Sequence, residues 1–320
     1  MKITNKHNLP EVIYDVLTKS FYDYKPKENA FSVTEILNDS KEIWLKRRHR
    51  DEITVDACDF FWTTYGNLVH EWVSSVKYEN ALQEKRFRYT FENGVTISGQ
   101  VDLHKDNMLN DFKFTSVWSW IYRDGKDEWM KQLNIYRWLL AQPNKEALIN
   151  VNGKYQWVKD ETIYDTQGIR NILLFRDWQQ SKAEHESNYP NQIEVVNQKM
   201  WDLEKTESFI KLRLSAIMRD KDTEDDKIKP CSEEARWEKP TTYAVKKKAS
   251  NGKLKKRATK VCKTMEEAED FMRERRGNEY DIEVRDGECT KCERYCDVRG
   301  FCNFYKLLHD KEFEDFFKIP

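Results

Sequence analysis

Two runs of alternating apolar and polar residues stand out in the first half of the chain. The apolar positions are Val95, Ile97, Val101 and Leu103 in the first run, and Met108, Phe112 and Phe114 in the second. Turn residues precede the first run at Asn93-Gly94 and separate the two runs at residues 104–107. Alternation with period two, bounded by turns, predicts two short antiparallel strands.

Apolar residues at helical spacing predict several helices around this strand pair. A capping box, Ser32-x-x-Glu35, should open a helix that runs to about residue 48. Further helices are expected over residues 60–76, 126–140 and 201–218, and a buried strand over residues 172–175. The helix over 126–140 should stop before Pro143, since proline cannot continue it.

The chain changes character after the polar run 219–227, which we interpret as a linker. Beyond it, residues 243–260 resemble a hairpin with Asn251-Gly252 at the turn, Thr264-x-x-Glu267 should open a helix, and residues 281–285 should form a strand. We therefore expect a core domain over residues 1–225 and a smaller module over 226–320.

Composition narrows the class of protein. With 55 basic and 56 acidic residues the net charge is −1, so affinity for nucleic acid must come from local basic patches. Eleven tryptophans indicate a packed core rather than disorder. The N-terminus lacks an apolar signal region, and no stretch of about 18 apolar residues occurs, so we expect a soluble, cytoplasmic protein without membrane association.

The strand pair carries the most informative chemistry. Asp102 closes the first strand, and the triplet Asp111-Phe112-Lys113 lies on the second. Side chains alternate along a strand, so Asp111 and Lys113 should share a face. Two carboxylates from adjacent strands can hold a hard divalent cation, and a nearby lysine can hold or activate a water. This arrangement predicts hydrolysis of a phosphodiester.

Polar residues on the flanking helices could complete the site. His70 lies on the helix before the strand pair, while Gln132 and Tyr136 share one face of the helix after it. Taken singly, an Asp-x-Lys triplet is more often a surface ion pair, and a lone histidine more often a core residue. Their occurrence together, in this order, favours a functional site.

The order His, Asp, Asp-x-Lys, Gln-x-x-x-Tyr over residues 30–140 resembles the PD-(D/E)XK nuclease superfamily, in particular its RecB-like branch. That branch includes phage exonucleases and the CRISPR spacer-acquisition nucleases. The resemblance implies an α/β fold with a central mixed sheet flanked by helices, a restriction-endonuclease-like core.

The resemblance also implies roles for the site residues. His70, Asp102, Asp111 and the backbone carbonyl of Phe112 would bind Mg²⁺ or Mn²⁺. Lys113 would position and activate the attacking water, while Gln132 and Tyr136 would support the site and contact DNA. Glu84 matches an acidic position sometimes seen upstream in such enzymes, but we interpret it as a surface residue.

Four of the seven cysteines fall in one short segment, Cys289-x2-Cys292-x3-Cys296-x5-Cys302. RecB-like nucleases with iron–sulfur clusters carry a remote cysteine and a closing C-x2-C-x5-C triplet; here the middle spacing differs, and the first helix has no cysteine. By this resemblance Cys231, Cys292, Cys296 and Cys302 would bind one metal centre in the C-terminal module, with Cys289 as the rival fourth ligand. Four thiolates suit a 4Fe–4S cluster or zinc, and the spacing leaves both open.

The remaining cysteines, Cys58 and Cys262, should be packing residues. Basic residues cluster in the predicted hairpin, where a solvated surface and a phosphate-contacting arm are both consistent with charge alone; the residues are Lys246, Lys247, Lys248, Lys253, Lys255, Lys256, Arg257 and Lys260. The tryptophans, including Trp118 and Trp120, should mostly be core residues, although one could stack a frayed base.

Together these features predict a metal-dependent DNA nuclease of phage or bacterial recombination and repair, with an exonuclease favoured over an endonuclease. DNA would be its partner, with a phage single-strand annealing or recombination protein as a second one. A DNA-binding recombination subunit with a vestigial site is the alternative from another class, although the complete set His70, Asp102, Asp111 and Lys113 speaks against it. An RNA-processing nuclease is a further alternative, because the chemistry of the site does not distinguish RNA, which carries a 2′-OH, from DNA.

Overall fold

The structure is a computed structural model that describes residues 1–19, 27–121, 127–275 and 279–310. The chain divides into two compact units, residues 1–223 and 224–320, and their boundary falls inside the polar run 219–227. No helix among the described residues is long and apolar enough to cross a membrane.

The first unit is α/β. Its strands are β1 Lys2–Thr4, β2 Ala30–Ser32, β3 Thr54–Asp56, β4 Ala81–Thr90, β5 Thr96–Lys105, β6 Met108–Thr115, β7 Lys145–Val151, β8 Lys154–Asp160, β9 Gly168–Phe175 and β10 Ile193–Asn197. Its helices are α1 Glu11–Lys19, α2 Val33–Ile36, α3 Ser40–Arg48, α4 Phe61–Ser74, α5 Val117–Ile121, α6 Glu128–Leu140, α7 Gln180–His185 and α8 Leu203–Arg219, with a 3₁₀ turn at Ala57–Phe60.

Within the described residues, eight strands form one mixed sheet flanked by helices, in the order β10-β9-β6-β5-β4-β7-β8 with β2 added beside β5. The predicted strand pair is confirmed as β5 and β6, which pair antiparallel, while β6 pairs parallel with β9. The predicted buried strand over 172–175 is the second half of β9. The sheet therefore has the central mixed topology that we expected.

The core lies between this sheet and helices α6 and α8. Leu133, Leu139 and Leu140 of α6 and Ile210 and Ile217 of α8 are almost fully buried. Helix α6 packs against β4, β5, β6 and β9. The predicted helix over 126–140 is therefore confirmed from Glu128 onwards; Lys126 lies outside the described residues.

The helix predicted over residues 32–48 is two helices. The capping box is present, because the Ser32 side chain accepts from the Glu35 amide and Glu35 bonds back to Ser32. The first helix ends at Ile36 and the second begins at Ser40. Asn38-Asp39 is a helix-start signal that the sequence analysis overlooked. Arg213 of α8 stabilises the break by donating to the carbonyl oxygens of Ile36 (3.0 Å) and Asn38 (2.5 Å).

The second unit contains a three-stranded antiparallel sheet and several short helices. Its strands are β11 Glu238–Lys239, β12 Thr242–Lys247, β13 Lys260–Cys262, β14 Tyr280–Arg285 and β15 Glu288–Cys289. Its helices are α9 Glu233–Arg236, α10 Met265–Arg273, α11 Thr290–Arg294 and α12 Asn303–Leu308, with 3₁₀ turns at Asp225–Lys227 and Arg299–Phe301. Strand β12 is central, with β13 and β14 on either side. Thr264 caps α10 as predicted, accepting from the Glu267 amide.

Candidate functional site

The site lies where the hairpin β5–β6 opens. The two strands pair only from Leu103 to Lys105 and from Met108 to Asn110. Farther along, the same edge of β5 pairs with β2 instead, at residues 96–98. In the gap, the Phe112 amide donates to Asp102 Oδ2 at 2.9 Å, so a carboxylate takes the place of a ladder carbonyl. In this gap, Asp102 lies next to the segment Asp111-Phe112-Lys113.

Three candidate metal ligands converge beside this gap. His70 Nδ1 lies 3.3 Å from Glu84 Oε1 and 3.7 Å from Asp102 Oδ2. One ligand atom from each of the three residues falls within 4.8 Å of the others. His70 reaches the site from α4, Glu84 from β4 and Asp102 from β5. The sequence analysis had assigned His70 and Asp102 to one site, and the structure places these two residues side by side.

Glu84 is the acidic residue that we interpreted as a surface residue, and that interpretation is wrong. Its carboxylate accepts from Gln100 Nε2 at 2.6 Å as well as contacting His70. Glu84 has φ +48° in the middle of a strand, a left-handed conformation that costs a non-glycine residue about 1 kcal/mol. Backbone strain of this kind is concentrated at functional sites. We did not predict strand β4, so its register against Asp102 was not visible.

Asp111 and Lys113 form an ion pair on the predicted face of β6. Lys113 Nζ lies 2.9 Å from Asp111 Oδ2 and donates to Gln132 Oε1 at 3.0 Å. Gln132 Nε2 in turn donates to the Tyr136 hydroxyl at 2.9 Å. The helix face that carries Gln132 and Tyr136 therefore meets the site as expected.

Tyr136 supports this arrangement from inside the protein. It is 6% exposed, so the expected contact with DNA does not fit its position. A Cβ atom at Gly99 would lie 2.5 Å from a Tyr136 ring carbon, so the close approach of helix α6 to β5 requires glycine there. Burial, and then the charge of Asp111, raise the pKa of Tyr136, which keeps its hydroxyl neutral.

Asn171 and Gln198 hold Asp111, and the sequence analysis missed both. Asn171, fully buried on β9, donates to Asp111 Oδ2 at 2.7 Å, and Gln198 donates to Asn171 Oδ1 at 2.8 Å. Asn171 lies next to Asp111 in the parallel register of β6 and β9. Asp111 is thus oriented by an amide and an ammonium group, and it stands outside the group formed by His70, Glu84 and Asp102.

The site carries an excess of negative charge. Burial, followed by the charge of Asp111, raises the pKa of Asp102 to about 7. The hydrogen bond with Glu84 raises the pKa of His70, against the opposing effect of burial, and the charges of Asp102 and Asp111 add to the rise. Both shifts show that this site favours additional positive charge.

The donor set suits a hard divalent cation. Carboxylate oxygens are the ligands that Mg²⁺ and Mn²⁺ prefer, and an imidazole is compatible with Mn²⁺. A cation near Asp102 would also relieve the repulsion that raises the pKa of this carboxyl. His70, Glu84 and Asp102 could hold such an ion directly, with Asp111 as an additional ligand.

A second group of possible ligands, His7, Asp56 and Cys58, has a structural explanation. Asp56 accepts hydrogen bonds from the amides of Lys6 and Cys58 and from the Thr4 hydroxyl, which lower its pKa to about 2. Its carboxylate caps the 3₁₀ turn that follows. Cys58 therefore lies beside a carboxylate rather than in an apolar pocket, whereas Cys262 packs with Val245 and Ala268 as expected.

Four cysteines of the second unit, Cys289, Cys292, Cys296 and Cys302, lie close enough for the other three to affect Cys292. Burial raises the pKa of Cys292 to about 11, and the thiols of Cys296, Cys289 and Cys302 add to the rise. Within residues 224–275 and 279–310, no three cysteine sulfur atoms come within 4.8 Å of one another. The Cys231 carbonyl accepts from Arg236, whose guanidinium also lies beside Cys289.

Seven basic residues of the predicted hairpin fall into two sets. Lys246, Lys247 and Lys248 lie 2.5, 2.9 and 3.9 Å from carboxylates of Glu283, Glu279 and Asp281. Acidic residues on β14 and immediately before it thus neutralise part of the charge of these three lysines, and their contact with phosphate stays a prediction. Four others are exposed and have no carboxylate partner among the described residues: Lys253, Lys255, Lys256 and Arg257.

The tryptophans divide in a similar way. Trp120 packs against the buried cluster of Val117, Leu173 and Phe175, as expected of a core residue. Trp118 is 65% exposed and Trp72 is 66% exposed, so the expectation of a core role is wrong for Trp118.

No protein family model matches this chain, and no curated protein matches it. Among solved structures, a crystal structure of SSO0001 matches with 15% sequence identity and a TM-score of 0.41, over 65% of this chain and 85% of that chain. A TM-score this low defines neither a family nor a function.

Proposed function

We propose that this protein is a metal-dependent DNA nuclease of the PD-(D/E)XK superfamily, with a restriction-endonuclease-like core. The observation that carries the proposal is the convergence of His70, Glu84 and Asp102 beside the Asp111–Lys113 pair, in the gap between two central strands. These residues come from one helix and three strands. A surface ion pair or a satisfied core histidine would not require so many elements to meet.

Each residue of the site would have its own role in the reaction. His70, Glu84, Asp102 and Asp111 would hold Mg²⁺ or Mn²⁺, with the Phe112 carbonyl as a further ligand. The bound ion would polarise a phosphate oxygen and lower the pKa of a water. Asn171 keeps the Asp111 carboxylate oriented, and Gln132 keeps Lys113 next to it.

Hydrolysis needs a water positioned in line with the scissile bond. Lys113 would hold that water and stabilise the charge that develops on the phosphate oxygens. A P–O bond forms to the water oxygen while the P–O bond to the leaving oxygen breaks. The water loses one proton and the leaving oxygen gains one, so the net change is the addition of one water molecule.

Two further proposals belong to the second unit. The exposed set of Lys253, Lys255, Lys256 and Arg257 would contact DNA phosphates without reading sequence. Cys292, Cys296 and Cys302, with Cys231 or Cys289, would bind an iron–sulfur cluster or zinc. The mutual effect of their thiols supports a shared centre, since thiolates held close together are stabilised by a metal.

An assay with end-labelled DNA and RNA, single- and double-stranded, tests the proposal. We expect cleavage of DNA with Mn²⁺ or Mg²⁺ and none with a chelator. Lys113→Met should lower kcat/KM by at least about 100-fold with little change in DNA affinity. Lys159→Met, at an exposed lysine paired with Glu161, is the matched control.

The outcomes separate the alternatives. An inactive wild-type protein that still binds DNA would favour a recombination subunit with a vestigial site. Cleavage of RNA alone would favour the RNA-processing alternative. Full activity in Lys113→Met would exclude the site described above.

A further inference from the structure

A groove of about 730 Å³ leads away from the candidate metal ligands in the first unit. Glu84 and Asp102 are among its lining residues, and Phe112 and Ile172 contribute an apolar part of the lining. The groove continues past the C-terminal end of α4 and the segment 75–78. Whatever occupies it would therefore lie directly beside the residues that we propose hold the metal.

An aromatic wall borders the outer part of the groove. Trp72, in the last turn of α4, is 66% exposed, and Tyr78 is 42% exposed. Gln83 fixes the segment that carries Tyr78, because its side chain donates to the Val76 carbonyl at 2.7 Å and accepts from the Tyr78 amide at 3.1 Å. A large aromatic side chain left in water at the mouth of a preorganised groove is typical of a stacking platform.

Two cations accompany the aromatic wall. Arg170 donates through Nε to Asn110 Oδ1 at 2.6 Å, and no carboxylate lies within ion-pair distance of it in the described parts of the chain. Lys105 Nζ lies 5.4 Å from the centre of the Tyr78 ring and pairs with Asp106, which also lines the groove, so Arg170 is the cation left for a phosphate. An unpaired guanidinium beside an apolar floor is well suited to bind a phosphate group.

The volume of the groove limits how much of a nucleic-acid strand it can hold. Its volume falls in the range of roughly 300–1,000 Å³ that accommodates small ligands, which corresponds to a few nucleotide units at most. A base inside a duplex is already stacked between its neighbours, so a strand would have to be unpaired before such a base could stack on Trp72.

We propose that this groove binds the end of a single DNA strand, with a base stacked on Trp72 and a phosphate held by Arg170. The assignment rests on the proposed nuclease function and adds its strand preference. Unpaired DNA would then be the preferred substrate, and duplex ends would be used only after fraying.

Binding and cleavage by tryptophan variants test this assignment. Affinity is measured by fluorescence anisotropy with a labelled single-stranded oligonucleotide in Ca²⁺, and KM and kcat in Mn²⁺. Trp72→Ala should weaken binding about 5- to 100-fold and raise KM accordingly. Trp72→Phe should retain most of the affinity, because it keeps an aromatic face. Trp118→Ala, at a tryptophan that is 65% exposed but does not line the groove, should change affinity less than twofold.

Each result separates this proposal from the nuclease proposal. If the wild type cleaves DNA but Trp72→Ala behaves like Trp118→Ala, the groove assignment is wrong and the nuclease function stands. Tighter binding of a blunt G·C-ended duplex than of the single strand would also overturn the groove assignment. If the wild type neither binds nor cleaves DNA, both proposals fail.

Discussion

Glu84 lies opposite Asp102 across strands β4 and β5, between the register pairs Gln83–Leu103 and Lys85–Val101. Its left-handed backbone interrupts the strand at this one position, and its carboxylate meets His70. A strand residue would normally direct its side chain according to the alternation of its neighbours. The strained conformation thus occurs at the residue whose carboxylate lies beside His70 and Asp102.

Replacing Glu84 with glutamine should weaken cation binding by at least about tenfold, because it removes one anionic ligand. The measurement is calorimetric titration of the protein with Mn²⁺, followed by cleavage assays at saturating DNA. Glu79→Gln, at an exposed glutamate five residues earlier, is the control. Equal Mn²⁺ affinity in the two variants would show that Glu84 does not bind the metal and has a structural role instead.

Stability without metal should depend on pH through Asp102. Its pKa is about 7 in the folded protein and near 3.8 when unfolded, so between about pH 4 and 7 the folded state binds more protons. The contribution of Asp102 to the free energy of unfolding must therefore fall as pH rises through this window, by less than about 4 kcal/mol. The raised pKa of His70 acts in the same direction.

Asp102→Asn tests this pH dependence. In a chelator at pH 8, urea unfolding should show the variant to be more stable than the wild type, whereas near pH 4 the two should agree. Mn²⁺ at pH 8 should raise the melting temperature of the wild type only. A difference in stability between the wild type and Asp102→Asn that stays constant from pH 4 to pH 8 in chelator would contradict the environment described for Asp102.

Asn171 should control the orientation of Asp111. Asn171→Asp places a second carboxylate against Asp111 and should move the acidic limb of the pH–rate profile to higher pH, besides lowering stability by a few kcal/mol. Asn134→Asp is a matched control, because Asn134 is equally buried but bonds to the backbone of Met130, Lys199 and Trp201. Both variants should lose stability. A pH–rate profile that shifts equally in both would rule out a specific role for Asn171.

The two sets of basic residues should differ in their effect on DNA binding. Changing Lys253, Lys255, Lys256 and Arg257 to serine should weaken binding to all sequences and reduce the dependence of log Kd on log salt concentration. Changing Lys246, Lys247 and Lys248 to serine should leave that slope nearly unchanged, since carboxylates already neutralise these lysines. Identical slopes for the two multiple variants would refute the distinction.

Serine substitutions in the cysteine segment should reveal a shared metal centre. Cys292→Ser, Cys296→Ser and Cys302→Ser should each lose metal after anaerobic purification, measured by elemental analysis. A brown protein absorbing near 400 nm indicates iron–sulfur, and a colourless one with stoichiometric zinc indicates zinc. Comparison of Cys231→Ser with Cys289→Ser identifies the fourth ligand, and Cys262→Ser should retain the metal. Full metal content in all variants would exclude the centre.

Local patterns were sufficient to predict the elements that carry most of the site. Period-two alternation located β5 and β6, and helical spacing located α4 and α6, so His70, Asp102, Asp111, Lys113 and Gln132 were all named in advance. These residues lie on amphipathic segments whose pattern is complete within about ten residues.

Residues whose role depends on distant strands were not predictable in this way. Asn171 reaches Asp111 only because β9 pairs in parallel with β6, some sixty residues earlier. Likewise, the carboxylate partners of Lys246–Lys248 lie on β14 and its preceding turn, more than thirty residues away. Sheet register across long connections is fixed by the packing of the whole core, and single-sequence periodicity contains no record of it.

The Phe112 amide donates a hydrogen bond to Asp102, so hydrogen exchange of this amide should depend on the state of the site. Amide protons in central strands normally exchange with solvent only when the sheet opens. This one is held by a carboxylate whose protonation changes near neutral pH and which a cation would recruit. Its isotope-exchange rate would therefore register occupancy of the site at the backbone itself, without any substrate and in the unmodified protein.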